Sequence, residues 1–181
     1  EAEATNKRII ELSAERDVVV PPPFAGMGHI GLAAIQLERY ELAEAARSLE
    51  QGLAISGQGG IGYKHLDACC TLARLRVAEG DGSGAAAALE RAQAFAPLPM
   101  QKVHLAAYAV RVWLMQGDLA VARQWLERPY PQQRPVVINE ILEAARARAA
   151  LAGGDWLQVL ALHDAVVRSA EREAASRLAR V

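Results

Sequence analysis

Cysteine is almost missing from this chain: Cys69 and Cys70 are the only two in 181 residues, and they are neighbours. Adjacent thiols inside an apolar helical pattern fit neither a secreted disulfide framework nor a CxxC metal knuckle. They point to buried, reduced side chains and to a cytoplasmic location. An excess of either charge is also lacking. With 20 basic and 21 acidic residues, a net charge of −1 and a pI near 6.5, the chain has no basic surplus of the kind a self-sufficient nucleic-acid or membrane-surface binder needs. No stretch approaches the ~20 uninterrupted apolar residues of a membrane span.

Catalytic and metal signatures are equally scarce. The four histidines, His29, His65, His104 and His163, never stand at i, i+3 or i+4 to one another, so no metal-ligand spacing arises. No Ser-His-Asp or Cys-His arrangement can be defended from spacing. Gly57-Gln-Gly-Gly-Ile-Gly62 fits GxGxxG by its letters. A phosphate loop, however, needs a preceding strand and a Lys directly after the last Gly, whereas here a helix precedes and Tyr63 intervenes. No cofactor, no metal and no enzymatic reaction are therefore expected.

What is present is a repeat. A composition of 52% hydrophobic and 23% charged residues belongs to a folded domain. Glu41, Asp81, Asp118 and Asp155 each open a helix, at intervals of 40, 37 and 37 residues (81−41, 118−81, 155−118). Four positions after each comes a small residue, Ala45, Ala85, Ala122 or Val159. Four further on, three carry Leu-Glu, at Leu49-Glu50, Leu89-Glu90 and Leu126-Glu127, while the fourth has His163-Asp164. The matching small positions on the preceding helices are Ala33, Ala73, Val110 and Ala147. Such a period signals stacked helical hairpins, each burying one face internally and needing a neighbour for the other.

The punctuation agrees. Gly80-Asp81, Gly117-Asp118 and Gly154-Asp155 pair a left-handed helix stop with the cap of the next helix. Residues 1–17 are expected to hold the second helix of a preceding repeat, opened by Thr5 or Asn6. Val18 to Pro23 forms an extended spacer, because proline cannot continue a helix. Residues 18–169 divide into four hairpins at about 22–56, 63–96, 98–128 and 135–169. The connectors are Ser56-Gly-Gln-Gly-Gly-Ile-Gly62 and Pro129–Pro135, and residues 170–181 begin a further repeat. The chain starts without Met and stops inside an amphipathic pattern, so a fragment of a longer protein is expected.

The period and the small positions resemble tetratricopeptide repeats, slightly lengthened. The run from Pro23 to Leu53, with Thr71–Asp81 and Val110–Glu127, is similar to the helical-repeat region of MalT-like, large ATP-binding regulators of the LuxR family. That resemblance spans about residues 23–169. It implies an all-α fold, a right-handed superhelix (α-solenoid) of antiparallel helix pairs, that senses a small-molecule inducer or a regulatory protein. It also implies a relay to NTPase and DNA-binding domains elsewhere in the regulator. No nucleic acid or membrane would touch this segment, and self-association through apolar terminal hairpins is expected. His163-Asp164 and the Pro129–Pro135 loop depart from the pattern and leave the inducer open. A generic scaffold that docks a peptide is the alternative.

In the repeat register Arg74, Arg111 and Arg148 follow the small first-helix positions at intervals of 37 (111−74, 148−111). Superhelices of this kind turn their first helices inward, so the three guanidinium groups would line the groove about 10 Å apart and suit an extended or multiply anionic ligand. Asp67 and Cys70, His104 and Tyr108, with Ala107, Ile141 and Ala144, would share that wall. Alternatively each Arg bonds a neighbouring acid, such as Asp67, Glu79, Glu140 or Glu143, and ties repeats together. Trp113, Trp125 and Trp156 stack on a ligand in one reading and pack between helices in the other.

Overall fold

A computed structural model describes residues 1–14, 23–57, 62–130 and 136–178. Among them are nine α-helices and no strand: α1 (Ala2–Ala14), α2 (Pro23–Glu38), α3 (Leu42–Gly57), α4 (Gly62–Ala78), α5 (Gly82–Ala94), α6 (Pro99–Met115), α7 (Leu119–Leu126), α8 (Val136–Ala152) and α9 (Trp156–Leu178). They form two compact units, Glu1–Ala96 and Pro97–Val181. In the first, α2 packs on α3 and α4 on α5, α4 also touches both α2 and α3, and α1 lies on α2. In the second, α6 packs on α7 and α8 on α9, and α8 touches both α6 and α7. Each unit thus stacks two hairpins, with the first helix of the later one lodged against the earlier pair.

Every hairpin turns through the same hydrogen-bonded motif. Gly80, Gly117 and Gly154 have φ of +80°, +79° and +75°, a conformation that costs a side-chain-bearing residue about 1–2 kcal/mol. The Gly80 amide donates to the Val77 carbonyl at 3.0 Å and the Asp81 amide to that of Arg76 at 2.8 Å, which ends α4 in a Schellman cap. Corresponding pairs follow α6 and α8. The Asp side chain then caps the next helix, accepting the amide of Gly84 at 2.8 Å, of Val121 at 3.0 Å or of Gln158 at 3.0 Å. The Gly84 amide, with the Ser83 hydroxyl behind it, holds the Asp81 carboxyl below the usual carboxylate range. The first hairpin makes the same turn without glycine. Tyr40 takes φ +64°, and the amides of Tyr40 and Glu41 close the same pair of bonds to Leu37 and Gln36.

The small positions lie where the register puts them in three of the four hairpins. Ala33, Ala73 and Val110 on the first helices, and Ala45, Ala85 and Ala122 on the second, are at most 1% exposed. Around them Ile30, Leu37, Leu49, Ala68 and Leu75 belong to one hydrophobic cluster. Two helices approach closely at Gly26 and Gly52, where a methyl group on either would meet the other's carbonyl oxygen at 3.1 Å. In the second unit Val103 and Leu142 are packed by Leu126, Ile141 and Tyr130. Tyr130 folds back to donate its hydroxyl to the Trp125 carbonyl, behind an α7 only eight residues long.

Four expectations need correction. Neither Thr5 nor Asn6 caps α1: the helix starts at Ala2, the Thr5 hydroxyl donates to the Glu1 carbonyl at 3.2 Å, and Asn6 sits against Gly28 and Gly31 of α2. Ser56, Gly57 and Gly62, read as connector, are helical, and Ser56 is buried. Ala147 and Val159, the small positions of the fourth hairpin, are only half-buried. No helix begins at residue 170, because α9 continues to Leu178; neither Gly nor Pro interrupts the run from Ala165 to Leu178, so nothing stops it. Residues 18–22 of the spacer, 58–61 of the glycine loop and 131–135 of the proline loop lie outside the described residues.

Urea unfolding tests the turn. A Cβ on Gly80 would meet nothing within 4 Å, so Gly80→Ala carries only the backbone cost and is expected to destabilise by about 1 kcal/mol. Tyr40→Gly, at a side chain 74% exposed, is expected to be neutral or to stabilise by about 0.5 kcal/mol. A silent Gly80→Ala would refute this account of the turn.

Candidate functional site

The seven candidate residues fall three in the first unit and four in the second. Arg74 is on α4, 7% exposed, and its guanidinium donates to the carboxylate of Glu38 at the end of α2. Its Nε is buried without a hydrogen-bond partner. Of the acids named from sequence, Glu79 pairs with Arg76 at 2.9 Å and Glu143 with Arg146 at 2.7 Å. The Arg74 partner carries no local sequence signal, because the bond joins two successive first helices, 36 residues apart.

Around Arg74 the wall is closed. Cys70 is fully buried beside Cys69, and burial, followed by the nearby Asp67 charge, pushes its thiol far above the ordinary range. It is not presented to solvent. Asp67 is half-buried, and its backbone carbonyl accepts the Thr71 hydroxyl at 2.9 Å. His65, one helical turn before Cys69, stacks on Phe95 at the C-terminal cap of α5 with ring centroids 4.8 Å apart. Burial lowers the pKa of His29 on α2, whose Nδ1 has no partner.

The second unit is more open. On α6, His104 and Tyr108 stack nearly parallel, 10° between planes and 5.2 Å between centroids. Arg111 follows one turn later, and all three are half-buried. Positions 104, 108 and 111 share one helical stripe. On α8, which packs against α6, Arg148 and Ala144 are exposed and Ile141 half-buried. An aromatic stack followed by a guanidinium offers a flat apolar surface and a fork for carboxylate or phosphate. Of the tryptophans, Trp125 is buried under the Arg128 guanidinium, 3.4 Å from its ring centroid, Trp113 is half-buried and Trp156 is 65% exposed. Sequence reasoning also missed Arg123 and Glu127, which line a cleft between α7, α8 and α9. Arg123 carries no motif and Glu127 only the repeated Leu-Glu, and packing alone brings them to the cleft.

Among the described residues no group of three or more His, Cys, Asp or Glu could hold a metal ion. No helix among them is long and apolar enough to cross a membrane.

A family model described as the MalT-like TPR region matches residues 1–180. The chain belongs to that family. The MalT-like assignment agrees with the hairpin stacking inside each unit, and it takes in α1, which the resemblance read from sequence did not reach. No curated protein and no solved structure matches the chain.

The Arg74 pair has a measurable signature. Glu38 is half-exposed, so Glu38→Gln is expected to cost about 1–2 kcal/mol by leaving a buried guanidinium without its counter-charge. Arg74→Met, which removes the buried charge altogether, is expected to cost less. The reverse order in urea unfolding would show that packing of the Arg stem, not the ion pair, dominates.

Proposed function

We propose that this MalT-like segment is the sensing region of a LuxR-family transcription regulator. It binds a small-molecule inducer or a regulatory protein on its first helices and relays the event to NTPase and DNA-binding domains of the same regulator. The family match over residues 1–180 carries this reading. The His104, Tyr108 and Arg111 stripe on α6 supports it as the surface to probe. The segment acts by binding alone. An effector that favours one arrangement of the repeats over another shifts the population toward it, and only that differential affinity transmits a signal. Arg74 and Cys70 belong to the packing in this account, and Arg111 and Arg148 to the contact surface.

Thermal denaturation against a broad metabolite panel is the direct test. An inducer at about 100 times its Kd adds about 2.7 kcal/mol to stability, an upshift of several degrees that Tyr108→Ala is expected to reduce. Arg111→Glu separates ligand classes: an acidic peptide should lose binding steeply, a neutral sugar-like inducer should not. A panel with no upshift, together with pull-downs that recover no partner, would remove the support for sensing. Peptide binding without any metabolite response would favour a scaffold.

Self-association has its own surface. Trp156, Leu157, Leu160 and Val167 of α9 are 65%, 81%, 62% and 41% exposed. Light scattering is expected to show mass rising with concentration and Leu160→Glu to suppress the rise. A strictly monomeric chain at high concentration would count against it.

A further inference from the structure

The second unit contains a cleft of about 270 Å³ between α7, α8 and α9, lined by Arg123, Leu126, Glu127, Arg146, Ala149 and Gln158 among others. It uses none of the α6 stripe, so it stands whether or not that stripe binds an inducer. Its volume falls just below the ~300–1,000 Å³ of pockets that take drug-sized ligands, which sets the scale of an occupant at a small metabolite.

The charges in it are unusual. Arg123 on α7 and Glu127 at its C-terminal cap are four residues apart, a spacing at which opposite charges can pair, yet among the described residues neither side chain makes an ion pair or hydrogen bond. Both are exposed and both line the cleft. In the repeat register position 123 corresponds to Ala46, Ala86 and Leu160, so this hairpin alone places a charge there. Gly153 at the end of α8 makes the room: a Cβ on it would stand 2.6 Å from the Arg123 Nη2. Arg146 spends one N–H group on Glu143 at 2.7 Å and keeps others for a ligand. Leu126 and the well-buried Ala149 add apolar lining, and Gln158 adds an amide.

We propose that this cleft binds a small zwitterion of the α-amino acid class, its carboxylate on Arg123 and its ammonium on Glu127, with an apolar side chain over Leu126 and Ala149. A ligand with both charges satisfies two groups that the protein leaves unmatched, and charge-assisted hydrogen bonds are the strong ones. A ligand with one charge leaves the other carboxylate or guanidinium unanswered. That asymmetry is the source of selectivity.

The probe is L-leucine, titrated into the full 181-residue chain and followed by backbone amide resonances, with isocaproate and isoamylamine as analogues lacking one charge each. Saturable shifts at Arg123, Glu127, Ala149 and Gln158 are expected, with each analogue bound at least about 10-fold more weakly, roughly 1.4 kcal/mol. Arg123→Gln and Glu127→Gln, both at exposed positions, should each lower leucine affinity about 10-fold, and Glu127→Gln should erase the preference over isocaproate. Isocaproate binding as tightly as leucine, or leucine binding that ignores Glu127→Gln, would overturn the proposal. So would the absence of any shift at about 20 mM with leucine and with each of the other standard amino acids. The analogue comparison needs no variant, so it holds even if a substitution unfolds the chain.

Discussion

The turn between paired helices is the constraint on which the structure rests. A helix can reverse within three residues only if one of them enters the left-handed region, and the two amides that follow must find carbonyls in the last turn. Gly80, Gly117 and Gly154 meet the first demand at no steric cost, and Tyr40 meets it with strain. Because the residue after each glycine is an Asp that caps the next helix, end and start are fixed by one dipeptide. The angle between partner helices is thereby set locally, before any long-range packing, and the small residues at Ala33 and Ala45 or Ala73 and Ala85 then allow the pair to close.

Packing between hairpins obeys a different rule. The buried guanidinium of Arg74 reaches from α4 back to Glu38 at the end of α2, joining consecutive first helices through a charge pair where alanine and leucine do the rest. Such a bond is weak evidence of stability and better evidence of register, since a shift of one turn would strand the charge. The same residue type at Arg111 and Arg148 sits on more open surface. Burial therefore differs among the three arginines that share one register position.

Much of the fold was legible in the sequence because its signals are local. The Gly-Asp dipeptides placed three turns correctly, and the small-residue register found six of eight buried positions. What could not be read was set by contacts between distant elements. Tyr40 carries no glycine signal, and its left-handed backbone follows from the bonds its neighbours make. The continuation of α9 past residue 170 runs against the repeat period and follows from the lack of any helix breaker. At the candidate site, the His104 and Tyr108 spacing and the burial of the paired cysteines were visible, but the burial of Arg74 was not, since neither type nor spacing states what covers a charged position on a helix face. Arg123 and Glu127 were ordinary surface letters until α8 and α9 made walls around them.

The three indoles occupy three environments: Trp125 is enclosed beneath a cation, Trp113 is partly covered, and Trp156 stands in water at the start of α9. An enclosed ring and a solvated ring emit at different wavelengths. The red edge of the protein's ultraviolet emission consequently belongs to Trp156 and the blue edge to Trp125. All three lie within Pro97–Val181, leaving Glu1–Ala96 without tryptophan. The chain carries a built-in spectroscopic gauge of one half of itself, and whatever comes to rest on α9 will announce itself as a change in colour.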